Sequence, residues 1–293
     1  MYTDIINKLI TVKKITKFNF INLVKILLRL INKYFIYFSN LNPLTNKPLM
    51  NQNYFTEIAK HASRKIYPAA DDFERQSDYK IDSKWINELA LLTQVVKKDH
   101  EICYAHGRIL YSLIRKKISS SKDFKNICIF ETGTARGFSS LCMAKALDDS
   151  NAIGKIITLD QLPHHQPIYW NNVTDHLVGK ISRKELLKDW SELIEKYIIF
   201  LTGDSRILVS SLNLSRVHFA FLDGCHTYKD VHLEFNVIKE SQFNGDIVVF
   251  DDYTNNLYSE VVNAVNEICE KYSYSKKIIH LNEKRSLLIA TKK

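Results

Sequence analysis

Residues 126–140 read NICIFETGTARGFSS, and this stretch decides the fold. Ile127, Ile129 and Phe130 supply the apolar run of a buried strand, Ile127–Glu131. Glu131 stands at its tip, and Gly133 and Gly137 bracket a turn before a helix from about Phe138 to Leu147. Glycines let a backbone approach a ligand closely, and a helix N-terminus presents unpaired N–H groups. The pattern is that of a nucleotide-cradling turn, with a carboxylate placed to accept from ribose hydroxyls or to meet a cationic group. Its spacing is E-x-G-x-x-x-G and not the G-x-G-x-x-G of nicotinamide enzymes, so an ordinary strand-to-helix turn also satisfies it. Glycine is otherwise scarce: 8 in 293 residues, none before Gly107, where roughly 7% is usual. Gly133, Gly137, Gly203, Gly224 and Gly245 all fall at predicted strand ends.

A hydrophobic content of 45% over 293 residues is enough for a globular core and excludes disorder over most of the chain. Five scattered cysteines without a C-x-x-C pair argue against a disulfide framework and against a zinc site. They fit a reducing, cytoplasmic setting. The net charge of +9 is uneven: residues 1–50 hold eight Lys/Arg against Asp4 alone, so they carry +7 and the other 243 residues only +2. No nucleic-acid groove is expected in the main body.

Residues 1–41 form an apolar, basic segment densest over 18–38 (FNFINLVKILLRLINKYFIYF), with Asn22, Lys25, Arg29 and Lys33 in one polar stripe. Three charges inside the apolar run oppose a spanning helix. Two readings stay open: an interfacial helix making peripheral contact with an anionic membrane, or a helix packed on its own domain or across a homo-oligomer. Pro43 and Pro48 mark a linker, so that residues 1–50 are read as a basic helical extension and linker, 51–122 as a helical cap, and 123–293 as the main domain. In the cap, helices are expected near Tyr54–Ile66, Ser83–Lys97 and Ile102–Ile118, and Asp71, Asp72, Glu74 and Asp78 are expected in a solvated loop.

Beyond Ser121, short apolar runs alternate with helical stretches, the mark of an α/β fold with a mostly parallel sheet. Seven strands are drawn: Ile127–Glu131, Lys155–Asp160, Tyr197–Thr202, Val217–Asp223, Asp246–Asp251, Tyr274–His280 and Ser286–Ala290. Ligands of such a sheet bind beyond the carboxyl ends of its strands. Those ends are acidic: Glu131, Asp160, Asp204 after Gly203, Asp223 before Gly224, and Asp251-Asp252.

Taken together, these residues resemble the S-adenosylmethionine-dependent methyltransferases of Rossmann-like fold, and within them the metal-dependent small-molecule O-methyltransferases of the catechol and macrocin type. The resemblance covers about Phe124 to Lys293. It rests on Glu131, Gly133, Gly137, Phe138 and Ser139, which match E-x-G-x-x-x-G-aromatic-S, and on Asp223 with the pair Asp251-Asp252. The resemblance implies a seven-stranded Rossmann-like sheet flanked by helices, and an enzyme. S-adenosylmethionine would be held by Glu131 through the turn, by Gly133, Thr134, Gly137 and Ser139, by Asp160 at the ribose, and by Asp204 and Ser205 at the adenine edge. A divalent cation, Mg²⁺ by the all-oxygen donor set, would lie among Asp223, Asp251 and Asp252. Where the catechol enzymes carry a lysine near the reacting hydroxyl, this chain reads Asp223-Gly224-Cys225-His226, which makes His226 the candidate general base.

The expected acceptor is a small hydroxylated molecule: a sugar, a glycoside or a phenol. For the long insertion from Gln161 to about Arg183, with His164-His165, two readings stay open: contact with that acceptor, or plain surface packing. Two alternatives remain from the residues alone, namely an enzyme of the same fold with another reaction or acceptor atom, and a membrane-surface nucleotide-binding protein without catalysis.

Overall fold

The strand expected at Ile127–Glu131 runs from Asn126 to Thr132 (β1) and lies inside a seven-stranded sheet. This computed structural model describes residues 44–120 and 126–293. The segment 1–41, with its membrane and packing readings, lies outside the described residues. The chain divides into Met1–Asn46 and Lys47–Lys293, and the sheet belongs to the second unit.

The other strands are Ile153–Asp160 (β2), Ile198–Thr202 (β3), Phe219–Leu222 (β4), Ile247–Phe250 (β5), Tyr274–Asn282 (β6) and Arg285–Lys292 (β7), in the order β3-β2-β1-β4-β5-β7-β6. The first five are parallel, and β7 runs antiparallel to both β5 and β6. This is the expected Rossmann-like, mostly parallel sheet flanked by helices. Strands β4 (FAFL) and β5 (IVVF) are buried at every position, as continuous apolar runs covered on both faces should be. Both end one residue earlier than the sequence suggests, so Asp223 and Asp251 stand just past the last ladder residue, beyond the carboxyl edge.

Helix Gln52–Arg64 (α1), Pro68–Ser77 (α2), Ser83–Thr93 (α3) and Ala105–Ser119 (α4) precede the sheet. The acidic segment read as a solvated loop is α2, and only Asp78, at its left-handed C-cap, lies outside the helix. Pro68 opens α2 with its φ already helical, and Asp71 in the first turn favours the positive end of the helix dipole. Glu74 is buried and accepts from Arg108 Nε of α4 at 3.0 Å, which makes it a core ion pair.

Helix Phe138–Asp149 (α5) is apolar nearly all round because it lies between the sheet and α4. After β2 the insertion carries two single turns, Thr174–Leu177 (α6) and Arg183–Leu186 (α7), before helix Ser191–Tyr197 (α8). The turn Ser205–Leu208 (α9) follows β3, and helices Tyr228–Asn236 (α10) and Ser259–Lys271 (α11) follow β4 and β5. Among the described residues, no helix is long and apolar enough to cross a membrane.

Candidate functional site

Gly133 and Gly137 have φ of +85° and +94°, a region where a side chain is strained. Beneath the turn they frame, Glu131 is fully buried, and Ser140 Oγ and Thr158 Oγ1 both donate to its Oε2, the latter at 2.5 Å. Burial raises its pKa, while hydrogen bonds from Ser139, Ser140 and Thr158 oppose that rise. Its Oε1 has no hydrogen-bond partner. Glu131 therefore supports the turn from below. Thr134 is also turned inward, its hydroxyl bonded to that of Thr158.

Asp160 closes β2 and fastens the turn from the side: Oδ2 accepts from the Ala135 N–H at 2.8 Å and Oδ1 from the Leu162 N–H at 2.6 Å. Each oxygen retains a second lone pair, which suits a pair of ribose hydroxyls. Asp204 caps α9 through the Arg206 N–H at 2.9 Å and pairs with the Arg206 guanidinium, while the Ser205 hydroxyl bonds the Cys225 thiol. The donor chemistry of glycine turn, Asp160 and the strand edge fits an adenosine cofactor.

On the other side of β1, adjacent β4 and β5 deliver the second group. Donor atoms of Asp223, His226 and Asp252 lie within 4.8 Å of one another. His226 Nε2 is 2.9 Å from Asp252 Oδ2, and its ring lies 4.7 Å from that of Tyr258. The Asp252 hydrogen bond raises the pKa of His226 against the opposing effect of burial. Asp223 is pushed well above the carboxylate range by burial and by the charges of Asp251 and Asp252, a crowding that a cation would relieve.

Asp251 lines the same cavity as Asp223 and Asp252, and its carboxylate also pairs with Arg285, with Nε at 3.2 Å, and accepts the Asp252 N–H at 2.8 Å. The backbone at Asp252 is left-handed, φ +53°. Arg285 opens β7 and is held by the Cys103 carbonyl at 2.9 Å, so the partner of Asp251 comes from 34 residues away.

Glu234 on α10 was not singled out by the sequence. It is 1% exposed, accepts from Thr132 Oγ1 at 2.7 Å, and lies so close to Gly224 that a Cβ there would overlap its Oε1. Burial raises its pKa to about 7. It joins the tip of β1 to the loop that carries Asp223 and His226. Its spacing of eight from His226 was the available signal, but a lone acid in a polar helix does not announce burial.

A cavity of about 700 Å³ opens beside the cluster. Asp223, Asp252 and Tyr258 line one side, the segment Lys98–Cys103 another, and the β6–β7 turn Asn282–Arg285 a third. None of its lining comes from the insertion after β2. His164 stacks instead on Phe200 at 4.2 Å, and burial takes its pKa down to about 4.

The fold is Rossmann-like, and the groups at its glycine turn fit an adenosine cofactor. Residues 130–253 match a family model described as a methyltransferase domain. Among curated proteins none matches significantly. The solved structure of the O-methyltransferase NovP is 15% identical, with 72% of this chain and 99% of NovP covered and a TM-score of 0.50. TomG from Streptomyces achromogenes, an O-methyltransferase involved in tomaymycin synthesis and solved with SAM, is 14% identical over 84% of this chain and 100% of its own, with a TM-score of 0.48. An O-methyltransferase from Bacillus cereus, solved with SAH, is 13% identical over 82% and 100%, with a TM-score of 0.46. The fold is thus Rossmann-like, and within it residues 130–253 are similar to a methyltransferase domain.

Proposed function

We propose that the chain methylates a hydroxyl of a small polar acceptor with the help of a divalent cation held by Asp223 and Asp252. The observation that carries this reading is the convergence of Asp223, His226 and Asp252 on one another, with Asp223 and Asp252 on the wall of the cavity. The O-methyltransferase neighbours agree with it. S-adenosylmethionine supplies an already activated methyl group. The cation, Mg²⁺ or Mn²⁺ by its carboxylate donors, would lower the pKa of an acceptor hydroxyl.

The chain's own residues position the partners and move one proton. Glu131 and Asp160 fix the glycine turn, and Asp160 keeps lone pairs for the ribose. His226 takes the acceptor's proton on Nε2, the nitrogen now facing Asp252, while the Tyr258 ring covers the imidazole. The cavity wall is charged over most of its extent, with Lys98, Asp99, Glu101, Glu283 and Lys284 among its residues. Such a wall favours a sugar or glycoside over a flat phenol.

The test is methyl transfer from labelled S-adenosylmethionine to a panel of sugars, glycosides and catechols, with and without chelator. Transfer to a hydroxyl that chelator abolishes and Mg²⁺ or Mn²⁺ restores is the expected result. Transfer indifferent to chelator would remove the cation from the mechanism.

A further inference from the structure

The insertion after β2 touches the cofactor turn at one end and the acceptor wall at the other. At the turn, Arg136 Nε donates to the Trp170 carbonyl at 2.7 Å, and Arg183, fully buried, donates from Nε to the Ala135 carbonyl at 3.0 Å and from Nη2 to the Leu162 carbonyl at 2.9 Å. Leu187 fills the notch at Gly137, where a Cβ would come within 2.8 Å of its Cδ1. Every residue of the turn from Ala135 to Gly137 is therefore held by the insertion.

The other end is fixed as firmly. Asn171 Nδ2 donates to the Lys97 carbonyl at 2.9 Å, and Asn171 Oδ1 accepts the Lys97 N–H at 3.2 Å, so one side chain pairs both backbone groups of one residue. Asn172, fully buried, donates to the Leu92 carbonyl at 2.5 Å. Asp175 fixes the knuckle between the two ends by accepting the N–H groups of Trp170 and Asn171, both at 2.7 Å. Asn171 itself is left-handed, φ +55°. Lys97 leads directly into Lys98–Cys103, one wall of the acceptor cavity.

We propose that Asn171 is a positioning residue for the acceptor wall, and that through it the insertion makes the wall 98–103 respond to cofactor at the glycine turn. The proposal rests on the cofactor and acceptor assignments above. Cofactor contacts restrict the turn, the turn restricts Trp170 and Arg183, and the paired amide passes that restriction to Lys97.

The experiment is amide hydrogen exchange of the full chain with and without S-adenosylhomocysteine, its binding verified by calorimetry in the same samples. In the wild type the ligand should slow exchange at 133–137 and also at 98–103, the latter by at least about threefold. Asn171→Gly keeps the left-handed backbone comfortable while removing both bonds to Lys97. It should bind S-adenosylhomocysteine within about twofold of wild type, as a residue off the ligand should, yet lose the protection at 98–103. Asn171→Asp, which keeps only the acceptor, should be intermediate and serves if the glycine variant folds poorly. Protection at 133–137 without protection at 98–103 in the wild type, or full protection in Asn171→Gly, would overturn the proposal. Failure of S-adenosylhomocysteine to bind at all would instead overturn the cofactor assignment, and this inference with it.

Discussion

Gly133 lies directly against the carbonyl oxygen of Asp223: a methyl group in place of its hydrogen would overlap that oxygen. The glycine turn and the acidic loop after β4 are thus in backbone contact, and the reacting centres they carry cannot drift apart. Gly133→Ala should cost roughly 1–3 kcal/mol through left-handed strain and the clash, and should weaken S-adenosylhomocysteine binding. Denaturant unfolding and calorimetry read the two effects, and a variant matching wild type in both would contradict the contact.

Two adjacent carboxylates should behave oppositely. Asp251→Ala strips the half-buried Arg285 of its buried partner and should destabilise the fold by about 3–5 kcal/mol. Asp252→Ala should leave stability nearly unchanged but weaken Mn²⁺ binding, followed by electron paramagnetic resonance, by at least roughly 10–100-fold. Equal effects of the two changes on the metal would restore Asp251 to the ligand set.

Glu234 makes stability fall as pH rises. Its folded pKa, about 7, lies above the ordinary value of 4.5, so the folded state binds the proton more tightly. The stabilisation is complete below about pH 4.5 and is lost as pH climbs through 7, a difference of about 3 kcal/mol. His226, also raised, adds a trend of the same sign. Glu234→Gln should flatten the part between pH 4.5 and 7 in denaturant titrations; an unchanged slope would mean that Glu234 is not the titrating group.

His226→Ala should lower turnover by about 10²–10⁴-fold at neutral pH, with partial recovery at high pH as hydroxide substitutes. Mn²⁺ affinity separates its two possible roles. Retained binding marks a base, and lost binding marks a ligand.

How far the sequence carried depended on where each signal was stored. The strands and their acidic ends were legible because they rest on apolar runs and on residues within a few positions of each other. So were the glycine turn and the Asp223–His226 loop. What escaped depends on distant partners. Nothing near Asp251 reveals Arg285, its partner from an antiparallel strand. Glu74 read as solvated because nothing near it reveals Arg108, and the contact of the insertion with Lys97 stayed hidden because Asn171 and Lys97 are 74 residues apart.

The wall of the acceptor cavity is drawn largely from Lys98–Cys103 and Asn282–Arg285, both outside the 130–253 stretch that matches the methyltransferase model. On the proposed function, the chemistry and the choice of acceptor are therefore written in separable parts of the gene. Exchanging those two short segments should then change which hydroxylated molecules are methylated while S-adenosylmethionine binding stays as it was.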